Sequence, residues 1–291
     1  MPTKVEKDSL TGTDTTGHEW DGLKELNTPL PKWWLWTFYA CIAFSAVWVV
    51  LYPAFPIWGA RGTLGWIARE AVQEDVTAAQ QRMAPMMNRI RTATPAQILA
   101  DDELRRFAVA GGRGLFANNC AGCHGAGGQG AQGGFPTLAD DEWIWGGSLE
   151  AIQQTITHGI RSGESDDQRQ SQMPAFGASG VLTAAQIGDT AEFVLSLSNR
   201  ATDQAAVGRG RTLYEENCAS CHGDRGQGNR DVGAPSLADQ VWLYGADRAS
   251  IVRSITLARV GGVMPSWQGR LDPAAINMLT VYVHQLGGGE R

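Results

Sequence analysis

The sequence predicts a mainly α protein: one N-terminal transmembrane helix, then two tandem copies of one small helical module. Three observations carry this. A run without a charged residue or histidine extends from Trp33 to Ala60, the C-terminal two-thirds repeats itself at an offset of 98 residues, and each copy opens and closes on a helical pattern. Composition sets the bounds. The 291 residues suggest about two domains at ~150 residues each. With 43% apolar and 19% charged residues, the chain is neither disordered nor strongly basic. A net charge of −6 argues against nucleic acid as a partner. Mean hydropathy slightly below zero excludes a polytopic membrane protein but not a single span.

The span comes first in the chain. Trp33 to Tyr52 reaches the ~20 apolar residues that cross a hydrocarbon core, before Pro53 and Pro56 stop the helix. Trp33, Trp34 and Trp36 form one aromatic belt, and Trp48, Tyr52 and Trp58 the other. The 32-residue polar lead is long for a signal peptide and no A-x-A-like site follows, so an uncleaved anchor in the lipid bilayer is expected. All four Lys (Lys4, Lys7, Lys24, Lys32) precede it, which favours a cytoplasmic N-terminus. Cys41, within the span, reads as a small buried hydrophobe.

The repeat carries the chemistry. Copy one reads GRGLFANNCAGCHGAGGQG and later FPTLADDEWIWGG; copy two reads GRTLYEENCASCHGDRGQG and later APSLADQVWLYGA. Each holds C-x-x-C-H: Cys120, Cys123 and His124, then Cys218, Cys221 and His222. That pattern reads as covalent c-type heme, the thiols forming thioethers with the vinyl groups and the adjacent His taking the proximal iron position. A thioredoxin-like pair does not need the His, and a zinc site needs two further ligands that neither copy supplies. Two covalently bound hemes c are expected.

The sixth ligand is read from position. Met173-Pro174 lies 49 residues after His124, and Met264-Pro265 lies 42 after His222, each in a loop before a closing helix. A Met thioether on the distal side raises the potential. In copy one, His158 is the alternative, in a loop about eight residues longer than its counterpart. Met278, inside the last helix, and Met83, Met86 and Met87 in the linker read as packing, and His284 and His18 as surface or structural.

The framework follows. Gly112 and Phe116 match Gly210 and Tyr214 on an opening helix, where the small residue lets a closing helix cross. Phe193 and Tyr282, on the closing helices, are aromatic candidates for that crossing. Thr183 with Gln186 forms a capping box, and Asp272 with Pro273 starts the last helix. Pro136 and Pro235 are placed to offer a carbonyl to Nδ1 of each proximal His. Trp143, Trp145, Trp242 and Tyr244 line the heme edge, bond a propionate or pack the core, and Arg161 and Arg230 are propionate candidates.

At this point the chain resembles known families. The C-x-x-C-H…Met-Pro modules look like class I cytochrome c domains. The segment GHEWDGLKELNTPLPKWWLWTFYACIAF, running into YPAFP, resembles the anchor of the diheme subunit (subunit III) of bacterial cbb3-type cytochrome c oxidase. The resemblance implies a cytoplasmic segment (1–32), an anchor (33–58), a largely helical periplasmic linker (59–104) and two cytochrome c domains (105–200 and 201–291). It also implies a role: electrons from a donor cytochrome c would pass to the monoheme cytochrome c subunit and on to the heme–copper catalytic subunit that reduces dioxygen. This chain would not be an enzyme by itself. The inner membrane would hold it, with the heme domains in the periplasm. A diheme cytochrome serving another periplasmic redox enzyme, and a diheme peroxidase, are the alternatives. Region 105–200 holds six Arg against nine acidic residues, a hint of docking to a basic partner weaker than the reading of a generic soluble surface.

Overall fold

A computed structural model of the chain describes residues 4–52, 61–131, 133–259 and 262–290. Contacts divide it into two units, Met1–Arg82 and Met83–Arg291.

In the first unit, the predicted span forms helix α1 (Lys32–Leu51). Its twenty residues are about 30 Å long at ~1.5 Å per residue, the thickness of a hydrocarbon core. None is buried and mean hydropathy is 1.8, so α1 presents apolar surface all round. The hydroxyl of Thr37, near its start, is satisfied by donating to Trp33 O at 2.9 Å. Trp48 stacks on Tyr52 at 4.2 Å at the far end, where the chain turns extended. Pro53, Pro56 and the belt residue Trp58 lie outside the described residues. Ahead of α1 stands a hairpin that the sequence reading lacks, β1 (Thr15–Trp20) with β2 (Leu23–Leu26), Trp20 opposite Leu23. The turn is Asp21-Gly22, both with positive φ (50° and 86°), as a two-residue type I′ connection requires.

Helix α2 (Ala68–Thr92) enters the second unit, whose core begins at Ile90. Then follow α3 (Pro95–Ala100), α4 (Asp102–Asn119), α5 (Ala121–His124), α6 (Leu149–His158) and α7 (Ala184–Ser196). The second copy repeats the last four as α8 (Gln204–Asn217), α9 (Ala219–His222), α10 (Arg248–Leu257) and α11 (Pro273–His284). The N-caps are legible: Asp101, Ser148, Thr183, Asp203, Asp247 and Asp272 each accept from backbone N–H groups of the first turn. Thr183 and Gln186 form the expected capping box.

The pairing of these helices departs from expectation. Helix α4 packs on α11 and α8 on α7, while α6 packs on α11 and α10 on α7. Each closing helix therefore crosses the opening helix of the other repeat. A Cβ on Gly112 would lie 2.5 Å from Met278 O and 2.6 Å from Tyr282 Cβ; one on Gly210 would overlap Asp189 O. Phe116 meets Tyr282 at 5.4 Å, and Tyr214 meets Phe193 at 4.9 Å. The glycine–aromatic crossing stands as the sequence indicates, but its partner is exchanged. Part of the reason is the short α7–α8 connection, residues 197–203, which lets these helices pack as a helical hairpin. Met278 is core, as expected, and Met86 and Met87 pack against the same cluster; Met83 is exposed.

Candidate heme sites

Both C-x-x-C-H motifs sit at the same local fold. Cys120 ends α4, one turn (α5) carries Ala121–His124, and Gly125 leaves it at φ 76°; Cys218, α9 and Gly223 (φ 79°) repeat this. The loop then folds back, Gly130 N donating to His124 O and Gly228 N to His222 O, both at 2.8 Å. Positive φ at Gly130 and Gly228, and the backbone pressed against them, leave no room for a Cβ.

This return brings the second ligand shell into place. Nδ1 of His124 lies 3.1 Å from Pro136 O, and Nδ1 of His222 lies 2.9 Å from Pro235 O. The carbonyl fixes each ring as the Nδ1–H tautomer and leaves Nε2 free as a ligand. Burial pushes both imidazoles below their ordinary pKa, opposed by the proline carbonyls, which favours the neutral, ligating form. Cys120 and Cys218 are half-buried and their thiols are pushed up to about 11 by burial; Cys123 and Cys221 are exposed. All four are free. Among the described residues no group of three or more His, Cys, Asp and Glu converges as a metal site.

The residues fit a heme in a further respect. Arg161, in the left-handed region at φ 52°, donates Nη1 to Ser171 O and Nη2 to Gly262 O, while its buried Nε has no partner. A propionate would supply one. Arg230 does not fill the corresponding role, being ion-paired with Glu290. Trp143 and Trp242 donate Nε1 to Gly288 O and Asp239 O, so their donors are taken. Trp145 and Tyr244 reach the heme loop of the opposite repeat, at Gly233 and Gly134. Arg169 lies 5.1 Å over Trp145 and Arg259 lies 4.6 Å over Tyr244. The sequence reading omits these two cations; their recurrence four and five residues before each Met-Pro was the available signal.

The candidate distal residues lie as follows. Met173 packs into the cluster of Tyr214, Cys218, Ala219 and Trp242, and Met264 into that of Phe116, Cys120, Ala121 and Trp143. The expectation that each Met-Pro serves its own copy is therefore not met in the packing. His158 ends α6 with Nδ1 3.0 Å from Ser165 Oγ. His284 Nε2 lies 2.8 Å from Glu290 O, and His18 stacks on Trp20.

Two covalent heme motifs with His and Met candidates, behind one membrane-length helix, define a membrane-anchored diheme c-type cytochrome. Residues 12–59 match the family model described as the N-terminal domain of cytochrome oxidase-cbb3, FixP. Residues 109–198 match cytochrome c, and 205–283 match cytochrome c oxidase, cbb3-type, subunit III. The chain is 51% identical to the cbb3-type cytochrome c oxidase subunit CcoP of Azospirillum brasilense, over 98% of this chain and 99% of that one. It is 50% identical to subunit FixP of Azorhizobium caulinodans (97% and 96%), and 44% to CcoP of Cereibacter sphaeroides over the whole of both. The chain belongs to the CcoP/FixP family of cbb3-type cytochrome c oxidase subunits.

Proposed function

We propose that this chain is the electron-entry subunit of a cbb3-type oxidase. It accepts electrons from a donor cytochrome c and delivers them to the monoheme subunit, and so to the heme–copper subunit that reduces dioxygen. Heme c supplies a one-electron ferrous–ferric couple. The chain's own residues hold it for that purpose. Pro136 and Pro235 orient the proximal rings, and Met173 and Met264 stand in heme-side clusters as thioether ligands. Coordination closed on both sides favours electron transfer over substrate binding, which weighs against a peroxidase.

The observation that carries the oxidase reading over other diheme cytochromes is the anchor, since residues 12–59 match the N-terminal model of the cbb3 oxidase family, and the match of residues 205–283 to cbb3-type subunit III agrees with it. The periplasm is the compartment proposed for the heme modules. Every Lys lies ahead of α1 or at its first residue, which supports a cytoplasmic N-terminus, and c-type heme is attached on the far side of that membrane. A mild-detergent pull-down of the tagged chain tests this. Heme b and copper should co-purify and the preparation should consume oxygen with reduced cytochrome c. Recovery of the chain without heme b and copper would sink the proposal.

A further inference from the structure

We infer that the hairpin β1–β2 is a docking element: its tip, Trp20 and Leu23, seats on a Lys/Arg-rich loop at the cytoplasmic face of a membrane subunit with many spans. This rests on the oxidase reading and the cytoplasmic N-terminus proposed above, under which that subunit is the heme–copper one.

The hairpin has little of its own to stand on. A two-stranded sheet without a packed face is marginally stable in water. Residues 6–8 extend it, Thr15 N donating to Glu6 O at 2.8 Å and Asp8 N to Thr13 O at 2.9 Å. Even so, between residues 4 and 31 only Thr15 and Gly17 are buried, and no apolar side chain is. The apolar surface is presented outward, on one face of the tip. Trp20 stands opposite Leu23, and His18, two residues back, stacks on Trp20. Trp20 is 66% exposed and Leu23 76%. The two-residue Asp21-Gly22 turn holds this pair side by side before any partner arrives. A pre-positioned aromatic beside an aliphatic group is the kind of anchor that a protein interface buries at its centre.

Position and charge choose the partner. Residues 27–31 join β2 to α1, and Pro29 and Pro31 are among them. Fully extended, this link reaches at most about 18 Å, so the hairpin stays beside the membrane surface. Residues 4–31 carry Glu6, Asp8, Asp14, Glu19, Asp21 and Glu25 against Lys4, Lys7 and Lys24. Lys24, the one cation of the two strands, is engaged within the sheet, its Nζ 2.6 Å from Glu6 and 4.0 Å from Glu19. The surface offered outward is therefore acidic. Two surfaces lie within its reach. The cytoplasmic leaflet carries anionic lipid and repels an acidic segment, however well a Trp suits the interface. The cytoplasmic loops of a polytopic protein carry an excess of Lys and Arg and attract it. Opposite charge then guides the encounter and sets the register, while burial of Trp20 and Leu23 supplies the contact.

The experiment uses the full chain assembled in its own membranes, with a photoreactive phenylalanine analogue replacing Trp20, Leu23 or Leu10. Leu10 is equally exposed but lies at the other end of β1. Illumination should join positions 20 and 23 to the heme–copper subunit, at a peptide in one of its cytoplasmic loops, and position 10 much less. Capture by lipid alone, capture by the monoheme subunit alone, a peptide on the opposite side of the membrane, or equal capture at position 10 would each overturn the proposal. A second measurement reads the charge. Asp14→Lys/Glu25→Lys turns the acidic surplus of the segment into a basic one. In a detergent wash that the parent complex survives, heme b recovered per covalent heme c should fall severalfold in this variant, while membrane retention and heme c content stay the same. Undiminished heme b and copper in the variant would overturn the proposal. A parent preparation without heme b and copper fails the oxidase reading itself, whereas a parent that retains them but gives no crosslink fails only the docking element.

Discussion

Gly210 is a residue whose identity the packing dictates. Its missing Cβ lets α8 lie directly on the α7 backbone at Asp189, with Phe193 Cβ 3.0 Å from where that carbon would be. Gly210→Ala should therefore destabilise the second unit although Ala favours a helix by about 1 kcal/mol. Overpacking typically costs about 1–3 kcal/mol, and the obstruction here is backbone, so a lower urea midpoint is expected. An unchanged midpoint would mean that the helices do not cross there. Tyr214, four residues on, donates its hydroxyl to Gly223 O at 2.7 Å and is fully buried. Its counterpart Phe116 fills the same site without a hydroxyl. Tyr214→Phe should cost about 1 kcal/mol, the worth of one hydrogen bond, and leave heme content unchanged. Both glycines and both aromatics were legible in the sequence, because a heme motif fixes the offset at which a helix must cross. The partner was not. Exchanged and own-repeat closure use the same Gly and aromatic pairs, and it takes non-equivalent positions, such as Gly111 against Arg209 and Met278 against Asp189, to separate them.

At the scale of elements, the connection between α7 and α8 is held by one carboxylate. Glu192 accepts from Thr202 N at 2.9 Å, Asp203 N at 3.3 Å and Arg248 Nε at 2.9 Å. The backbone donor of Thr202, more than the neighbouring Arg248, holds its carboxyl below the usual pKa. With the folded pKa below the unfolded value of ~4.3, the clamp's contribution is fully present above that value and lost as pH falls through the folded one. Glu192→Gln should lower the urea midpoint at neutral pH, and the gap to the parent should narrow below pH ~4. A gap that is independent of pH would rule out this role for the charge. Local signals of this kind differ in how readily they are read. The Thr183–Gln186 box and the Asp272-Pro273 start are visible as short patterns, and both form. Asp21-Gly22 is as direct a signal, for a type I′ hairpin, yet it is easily passed over beside α1 because the flanking strands are only six and four residues long.

For the whole molecule, the decisive element is the one that touches no core. Every residue of α1 is outside the protein interior, and its twenty residues carry only the terminal Lys32 as a charge. Such a surface is stable only in lipid, and the tether it makes would keep two hemes beside a membrane-bound acceptor. Cys41 stands near the middle of the helix. An Arg there costs about 2.5–3.5 kcal/mol on an insertion scale, whereas an Arg near Lys32 would reach the interface at little cost. Cys41→Arg should therefore shift the chain from the carbonate-resistant membrane fraction to the extractable one, and Trp33→Arg should not. Covalent heme should fall together with membrane retention in Cys41→Arg, because under the proposed topology the same helix that anchors the chain also carries both C-x-x-C-H motifs to the compartment of attachment. Full heme loading of an extractable Cys41→Arg chain would separate export from anchoring, and full membrane retention of that variant would deny that α1 is the span.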